Sequence, residues 1–395
     1  MSVRELKKDI YSVGAIDWNR MIFDELIHLP EGTSYNSYLV TGSERTALID
    51  TVYPPRKEEL IDNLRKSGVK KIDYIISNHA EQDHSGAIPD ILKLFPESRV
   101  VTNAKCKGML VDLLMISGDK FITINDGDTL SLGNKTLEFI FAPWVHWPET
   151  MFTYLKEDKV LFTCDFLGSH LATSDLFATD ETKVRILAKR YYAEIMMPFR
   201  PSIKKHLERI KSLDVKMIGP SHGPVYDNPA FILDAQQEWV ADEVNNLVVI
   251  PYVSMYGSTE KMVHCLVDAL IERGIKVKIF NMTNADVGDL AMSLVDAATV
   301  VFASPTVLSG PHPGVVYAAF LTSALRPKFR YASMIGSYSW GGKMVEVIKG
   351  LLGNLNAEFI APVTVKGLPR EGDCQSINKL ADTIKEKHMA IGAKD

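Results

Sequence analysis

From Leu247 to the last helix the chain alternates short apolar runs with amphipathic helical segments, and that rhythm leaves few folds open. LVVIPYV reads as a strand, Glu260 to Arg273 as a helix, Ile275 to Phe280 as a strand and Asp286 to Asp296 as a helix. The pattern continues through TVVFAS, a helix around Val315 to Leu325, YASMIGSY, a helix over Lys343 to Leu355, FIAPVTV and a last helix over Ser376 to Met389. Five strand–helix pairs in about 150 residues predict one doubly wound parallel α/β sheet. Ligands of such a sheet sit at the carboxyl ends of its strands, where the strand order reverses.

Upstream the pattern is different. Short strand-like runs (Asn36 to Val40, Thr46 to Ile49, Ile72 to Ser77, Leu137 to Ala142) mix with a few helices, as expected for a layered α+β or αββα domain. Asp180 to Leu213 is largely helical, Val215 to Ile218 returns to strand, and Asp234 to Asn246 reads as a helix or connector. A chain of 395 residues is too long for one ordinary core, so we expect two domains, 1–243 and 247–395. A formal charge of -5 without blocks of either sign gives no reason to expect nucleic acid or an acidic membrane as partner. No apolar run reaches the roughly 18 residues of a membrane span, and the N-terminus lacks a signal-peptide core, so a cytoplasmic location is expected. Cys106, Cys164, Cys265 and Cys374 form no C-x-x-C pair and are expected to be four ordinary thiols.

The densest chemistry lies in His79-Ala80-Glu81-Gln82-Asp83-His84, between the strand IDYIIS and a helix. Four ionisable side chains in six residues are costly together unless a cation compensates them; the alternative is a solvated loop in which Asp83 or Ser85 caps the helix. Three further candidates follow apolar runs: His146 in PWVHWPE, Asp165 in FTCD and His222 in GPSHG.

A second constellation lies downstream. The strand LVVIPYV runs into Ser254, Met255, Tyr256, Gly257, Ser258 and Thr259 at a helix start. Small hydroxyl residues and a glycine there can cradle a phosphate, although simple capping would look similar. No lysine stands in the loop, which argues against a nucleotide P-loop. The third strand ends in Ser304, Pro305, Thr306, Val307, Leu308, Ser309 and Gly310, and the fourth in Ser337, Tyr338, Ser339, Trp340 and Gly341. Both loops would flank the same switch point.

The spacing H-x-[EH]-x-D-H followed by His, Asp and His resembles the metallo-β-lactamase superfamily, and Glu81 at the second position resembles its flavodiiron branch. The resemblance implies a metallo-β-lactamase-like αββα domain followed by a flavodoxin-like domain, with FMN in the three loops above and Trp340 against the flavin ring. It implies two irons, one held by His79, Glu81 and His146, the other by Asp83, His84 and His222, with Asp165 bridging. It further implies reduction of dioxygen to water or nitric oxide to nitrous oxide, as a homodimer or homotetramer. With no rubredoxin or flavin reductase module appended, electrons are expected from a separate donor: rubredoxin, a flavin reductase or reduced coenzyme F420. His170, Tyr191 and Tyr192 are the candidate proton donors near the metals. Where some relatives carry a histidine near the irons, this chain reads Phe23-Asp24-Glu25. The competing expectations are a zinc hydrolase with a fused flavodoxin and a non-enzymatic electron carrier; Glu81 speaks against the first and the full ligand set against the second.

Overall fold

The computed structural model describes residues 3–394. Among them no helix is long and apolar enough to cross a membrane. The chain divides into two compact units, residues up to 192 with 199–240, and 193–198 with those from 241 onward.

In the first unit two sheets face each other. One has seven strands in the order Arg4–Lys7, Ile10–Ser12, Tyr38–Thr41, Thr46–Ile49, Tyr74–Ile76, Arg99–Asn103 and Phe121–Ile124, parallel from the fourth onward. The other has five, Thr129–Ser131, Thr136–Phe141, Met151–Leu155, Val160–Cys164 and Met217–Pro220, antiparallel except for its last pair. The inner strands of the first sheet are apolar on both faces, as strands covered on both sides must be. Ala47, Ile49, Ile76 and Val101 pack into the core between the sheets. Their neighbours Leu48, Ile75 and Val100 point the other way, onto the helices Lys57–Lys66, Ile88–Leu94 and Ala104–Leu114.

A buried polar bridge joins the two sheets next to the first ligand loop. Asp50 ends its strand in the left-handed region (φ 54°). Its carboxylate accepts hydrogen bonds from the backbone N–H and the side-chain amide of Asn78, both at 2.8 Å. The Asn78 side-chain oxygen Oδ1 accepts from the Thr153 hydroxyl of the second sheet at 2.7 Å. Asn78 immediately precedes His79, so this bridge sets where the loop leaves the strand.

The second unit is a parallel sheet ordered Lys276–Asn281, Asn245–Tyr252, Ala297–Val307, Tyr331–Tyr338, then Glu358–Phe359 and Val363–Lys366 end to end along the last edge. Val248 and Ile250 pack with the helices Ser258–Ile271 and Glu371–Ala390, while Val249 and Phe302 pack on the opposite face. Strand order reverses between Asn245–Tyr252 and Ala297–Val307, the place where the sequence puts its loops. Two expectations need correction. FIAPVTV is two short strands rather than one, because Pro362 between them has no N–H to give to the ladder. Cys265 and Cys374 are not free thiols but a disulfide with a Cα separation of 5.9 Å; 109 residues apart in sequence, they meet because their helices pack side by side.

The Asp50 bridge predicts a stability effect. Asp50→Ala leaves two buried donors of Asn78 unpaired and should cost about 2–4 kcal/mol. Chemical denaturation followed by circular dichroism checks this; a loss well below 1 kcal/mol would show that the bridge is not structural.

Candidate functional site

All seven candidate ligands follow the ends of strands in the first unit. His79 to His84 follow Tyr74–Ile76, with the short helix Gln82–Ser85 turning Asp83 and His84 inward. His146 follows Thr136–Phe141, Asp165 follows Val160–Cys164 and His222 follows Met217–Pro220. Backbone in the left-handed region at Trp144 (65°), Cys164 (51°) and Leu167 (68°) shapes these turns, a strain that persists where surrounding contacts over-determine it.

The loops bring the ligand atoms into two groups, His79, Glu81, His146 and Asp165 in one, and Asp83, His84 and His222 in the other, each within 4.8 Å. Asp165 spans both. Its Oδ2 lies 3.4 Å from His79 Nε2 and 3.3 Å from His146 Nε2. Its Oδ1 lies 2.8 Å from His84 Nε2 and 3.4 Å from His222 Nε2. Glu81 Oε2 closes the first group at 3.1 and 3.2 Å from the same His79 and His146 nitrogens. The two Asp83 oxygens close the second, at 3.2 Å from His84 and from His222.

The fit to metal is visible in what these atoms lack. Both oxygens of Asp83 and of Asp165, and Nε2 of His84 and of His222, are buried without a hydrogen-bond partner although they converge. Buried polar atoms are almost always satisfied, so such a set marks a place for cations. Burial alone would depress the imidazoles, yet Asp165 with Asp83 pushes His222 up to about 10, and Asp165 with Glu81 pushes His146 up to about 9. Asp165 is held well below the usual carboxylate range: burial opposes this, but His84, His146 and His222 outweigh it. In the bare cluster, protons on imidazole supply the counter-charge, and a metal must displace them. Each group draws two imidazoles and two carboxylates once Asp165 is counted in both, a donor set suited to iron. The Cys164 thiol also lies beside His84 and Asp165, but burial and the neighbouring carboxylates push its pKa well up, which keeps it a thiol.

The groups that orient the imidazoles escaped the sequence reading. His79 Nδ1 donates to Glu149 Oε1 at 2.7 Å, an oxygen that also accepts from Ala80 N at 3.0 Å. His222 Nδ1 donates to the Ser34 carbonyl at 2.6 Å, with the Thr33 hydroxyl at 3.3 Å. Glu149 closes the PWVHWPE segment, and a carboxylate three residues after a candidate histidine was the available signal. Of the candidate proton donors, His170 bonds Thr33 through Nδ1 at 2.9 Å, and its ring lies 4.8 Å from the rings of His222 and Tyr191. Its Nε2 is buried without a hydrogen-bond partner. Burial and the Asp165 charge raise the Tyr191 hydroxyl well above its ordinary value. Tyr192 packs its ring against Trp239 at 5.8 Å.

The mouth beside these ligands is a cavity lined by Arg20, Phe23, Asp24, Tyr53, Glu81, Asp83 and Trp147 among others. Phe23 sets its ring 4.9 Å from His170 and 6.2 Å from His222. Asp24, exposed at the rim, is pushed up to about 6 by partial desolvation and by Glu81 and Asp83.

In the second unit a cleft at the switch point is lined by Ser254, Met255, Tyr256, Ser258, Thr259, Pro305, Thr306, Ser337, Tyr338, Ser339, Trp340 and Gly341, together with Gly367, which the sequence did not single out. Gly257 does not line it but takes the left-handed turn (φ 84°) that starts the Ser258–Ile271 helix. Val307 and Gly310 pair across a tight hairpin, with Leu308 and Ser309 at φ 49° and 63° in its turn. Trp340 is 85% exposed, an aromatic face left open at the rim.

Comparison with known proteins follows the same division. Residues 33–223 match the family described as ODP family beta lactamase, and residues 250–378 match the flavodoxin family. The chain is 37% identical to the nitric oxide reductase of Moorella thermoacetica, over 95% of this chain and 96% of the relative. It is 30% identical to the flavo-diiron protein FprA2 of Clostridium acetobutylicum, over 97% of this chain and 98% of the relative. The solved structure of rubredoxin oxygen:oxidoreductase from Desulfovibrio gigas superposes with a TM-score of 0.95 at 29% identity, covering 99% of this chain and 100% of that one. Similarity that runs through both units does not favour a hydrolase with a carrier domain attached. The paired carboxylate and imidazole groups, the cleft at the switch point and this full-length similarity have one reading: the chain belongs to the flavodiiron protein family.

Proposed function

We propose that this chain reduces dioxygen or nitric oxide at two non-haem irons held by His79, Glu81, Asp83, His84, His146, Asp165 and His222. Electrons reach them through FMN bound in the Ser254–Thr259, Ser304–Gly310 and Ser337–Gly341 loops. In this reading residues 1–243 form the di-iron domain and 247–395 the FMN domain. The observation that carries it is Asp165, whose two carboxylate oxygens belong to two different ligand groups. When bound, the irons and FMN supply the electron transfers that side chains cannot make.

The side chains hold geometry and protons. Glu149 fixes His79 and the Ser34 carbonyl fixes His222, so each ring presents Nε2 to its group. Tyr191 keeps its hydroxyl proton beside Asp165 and is the candidate donor to a reduced diatomic, with His170 packed against it. Ser254, Ser258 and Thr259 offer hydroxyls, and the first turn of the Ser258–Ile271 helix offers N–H groups, to the FMN phosphate. Thr306 and Trp340 line the same cleft and would flank a flavin ring bound there.

The electron donor is a separate protein or cofactor, with rubredoxin, a flavin reductase and reduced F420 as candidates. The working form is a homodimer or homotetramer in the cytoplasm.

Three tests follow from these assignments. The protein loaded with iron and FMN, reduced without air and mixed with either gas should reoxidise its flavin rapidly with at least one; indifference to both would overturn the reductase reading. Asp165→Ala should strip iron from both positions while FMN stays bound, as read by metal analysis and flavin absorbance; retention of both irons would remove Asp165 from the bridge. Glu149→Gln should weaken iron binding about 10–100-fold without unfolding the chain. Chelator competition measures this, and an unchanged affinity would make Glu149 a packing residue only.

A further inference from the structure

The Glu371–Ala390 helix packs along Ser258–Ile271 through Ile377, Leu380, Ala381 and Ile384. The apolar contact begins only at Ile377, because none of residues 371–376 is buried. Gly372, inside this first part of the helix, weakens it further. Two ties to Ser258–Ile271 hold the start of the segment: the Lys261 ammonium donates to the Pro369 carbonyl at 2.9 Å, and Cys374 is bonded to Cys265. Both elements so joined reach the cleft. Ser258 and Thr259 line it from the N-terminus of one helix, and Gly367 lines it from the loop that leads into the other.

We propose that Cys265 and Cys374 form a reversible dithiol–disulfide site, oxidised by peroxide, that clamps the cleft wall at Gly367 and so tightens the hold on its occupant. Neither cysteine is fully buried, so small oxidants and reductants reach both. Cys374 stands in the part of its helix, residues 371–376, where no residue is buried, and is the thiol we place as the attacker. Its attack on peroxide breaks the O–O bond and gives a sulfenic acid and one water. Condensation with the Cys265 thiol then forms the S–S bond and releases a second water. The two thiols lose two electrons and peroxide gains them. A dithiol reductant reverses the step by exchange. The Cα separation of 5.9 Å lies within the range a disulfide spans without backbone movement. Reduction removes one of the ties on the stretch from Gly367 to Cys374, which then rests on the Gly367 N–H to the Tyr338 carbonyl at 2.8 Å, the buried Pro369 and the Lys261 bond.

The clamp rests on the FMN reading of the cleft, and the experiment separates the two. FMN is titrated by fluorescence quenching into full-length protein, wild type, Cys265→Ser and Cys374→Ser, after treatment with hydrogen peroxide or with dithiothreitol. Thiols are counted in denaturant, and the cross-linked peptide is sought by mass spectrometry. The clamp predicts that peroxide removes two titratable thiols from the wild type and that reduction then weakens FMN binding about fivefold. Both variants should bind like the reduced wild type under either treatment. All four thiols surviving peroxide, or a formed cross-link with equal FMN affinity in both states, overturns the clamp. FMN binding in neither state sinks the flavin reading, and the clamp with it.

Discussion

The carboxylate of Asp165 is the point on which the first unit depends. It is buried, draws four imidazole nitrogens to within 3.4 Å and has no hydrogen bond of its own. A desolvated cluster of Asp83, Glu81 and Asp165 would repel itself apart in water-free surroundings, and the imidazoles alone can only offset this by staying protonated. A pair of divalent ions resolves the conflict without protons. Much of what surrounds the cluster is there to hold acceptors and donors at fixed places while the ions are exchanged for that charge. Asp50 and Asn78 tie the first loop to both sheets, and Glu149 holds the His79 ring from behind.

The cleft of the second unit follows a different logic. Its lining comes from loops at the carboxyl ends of parallel strands, and many of its contributions are small hydroxyls and turns: Gly257 in the left-handed region, the Leu308-Ser309 hairpin, and Gly342, where a Cβ would meet Thr306 Cγ2 at 2.7 Å. Such a cleft needs little charge compensation. It needs loops that stay at the right separation, and the sheet supplies that, down to Gly367 just past the edge strand Val363–Lys366, whose N–H donates to the Tyr338 carbonyl at 2.8 Å.

This contrast explains what could be read in the sequence. His79, Glu81, Asp83 and His84 are legible because the turn after one strand gathers them within six residues, and the alternation after Leu247 is legible because each strand carries its own apolar period. Glu149 was in view but had no assignable role, since which carboxylate meets His79 Nδ1 is decided by how the Met151–Leu155 strand lies against the loop. Thr33 and Ser34 carry no signal at all: a backbone carbonyl is the acceptor for His222, and every residue has one. The split at Pro362 is written in the chain, but the flanking β-branched residues give the whole run a strand's apolar pattern. The pairing of Cys265 with Cys374 was invisible, because contact across 109 residues is a property of helix packing and not of spacing.

Phe23 and Asp24 show how such a scaffold can be retuned without touching its ligands. Phe23 lays an apolar ring against His170 and His222, while Asp24 adjoins Glu81 and Asp83 at the mouth with its carboxyl pushed up to about 6. An apolar wall beside the second group of candidate ligands lowers the local polarity that a diatomic meets there, and the Asp24 carboxyl places a titrating group between solvent and Glu81. Both lie on a segment whose short strands Ile22–Phe23 and Ile27–His28 pair only with each other, with Asp24 and Glu25 in the left-handed region between them. A hairpin outside the two main sheets can change its exposed side chains at little cost to the core, so differences in substrate preference are expected to concentrate there and not in the loops that carry the seven candidate ligands.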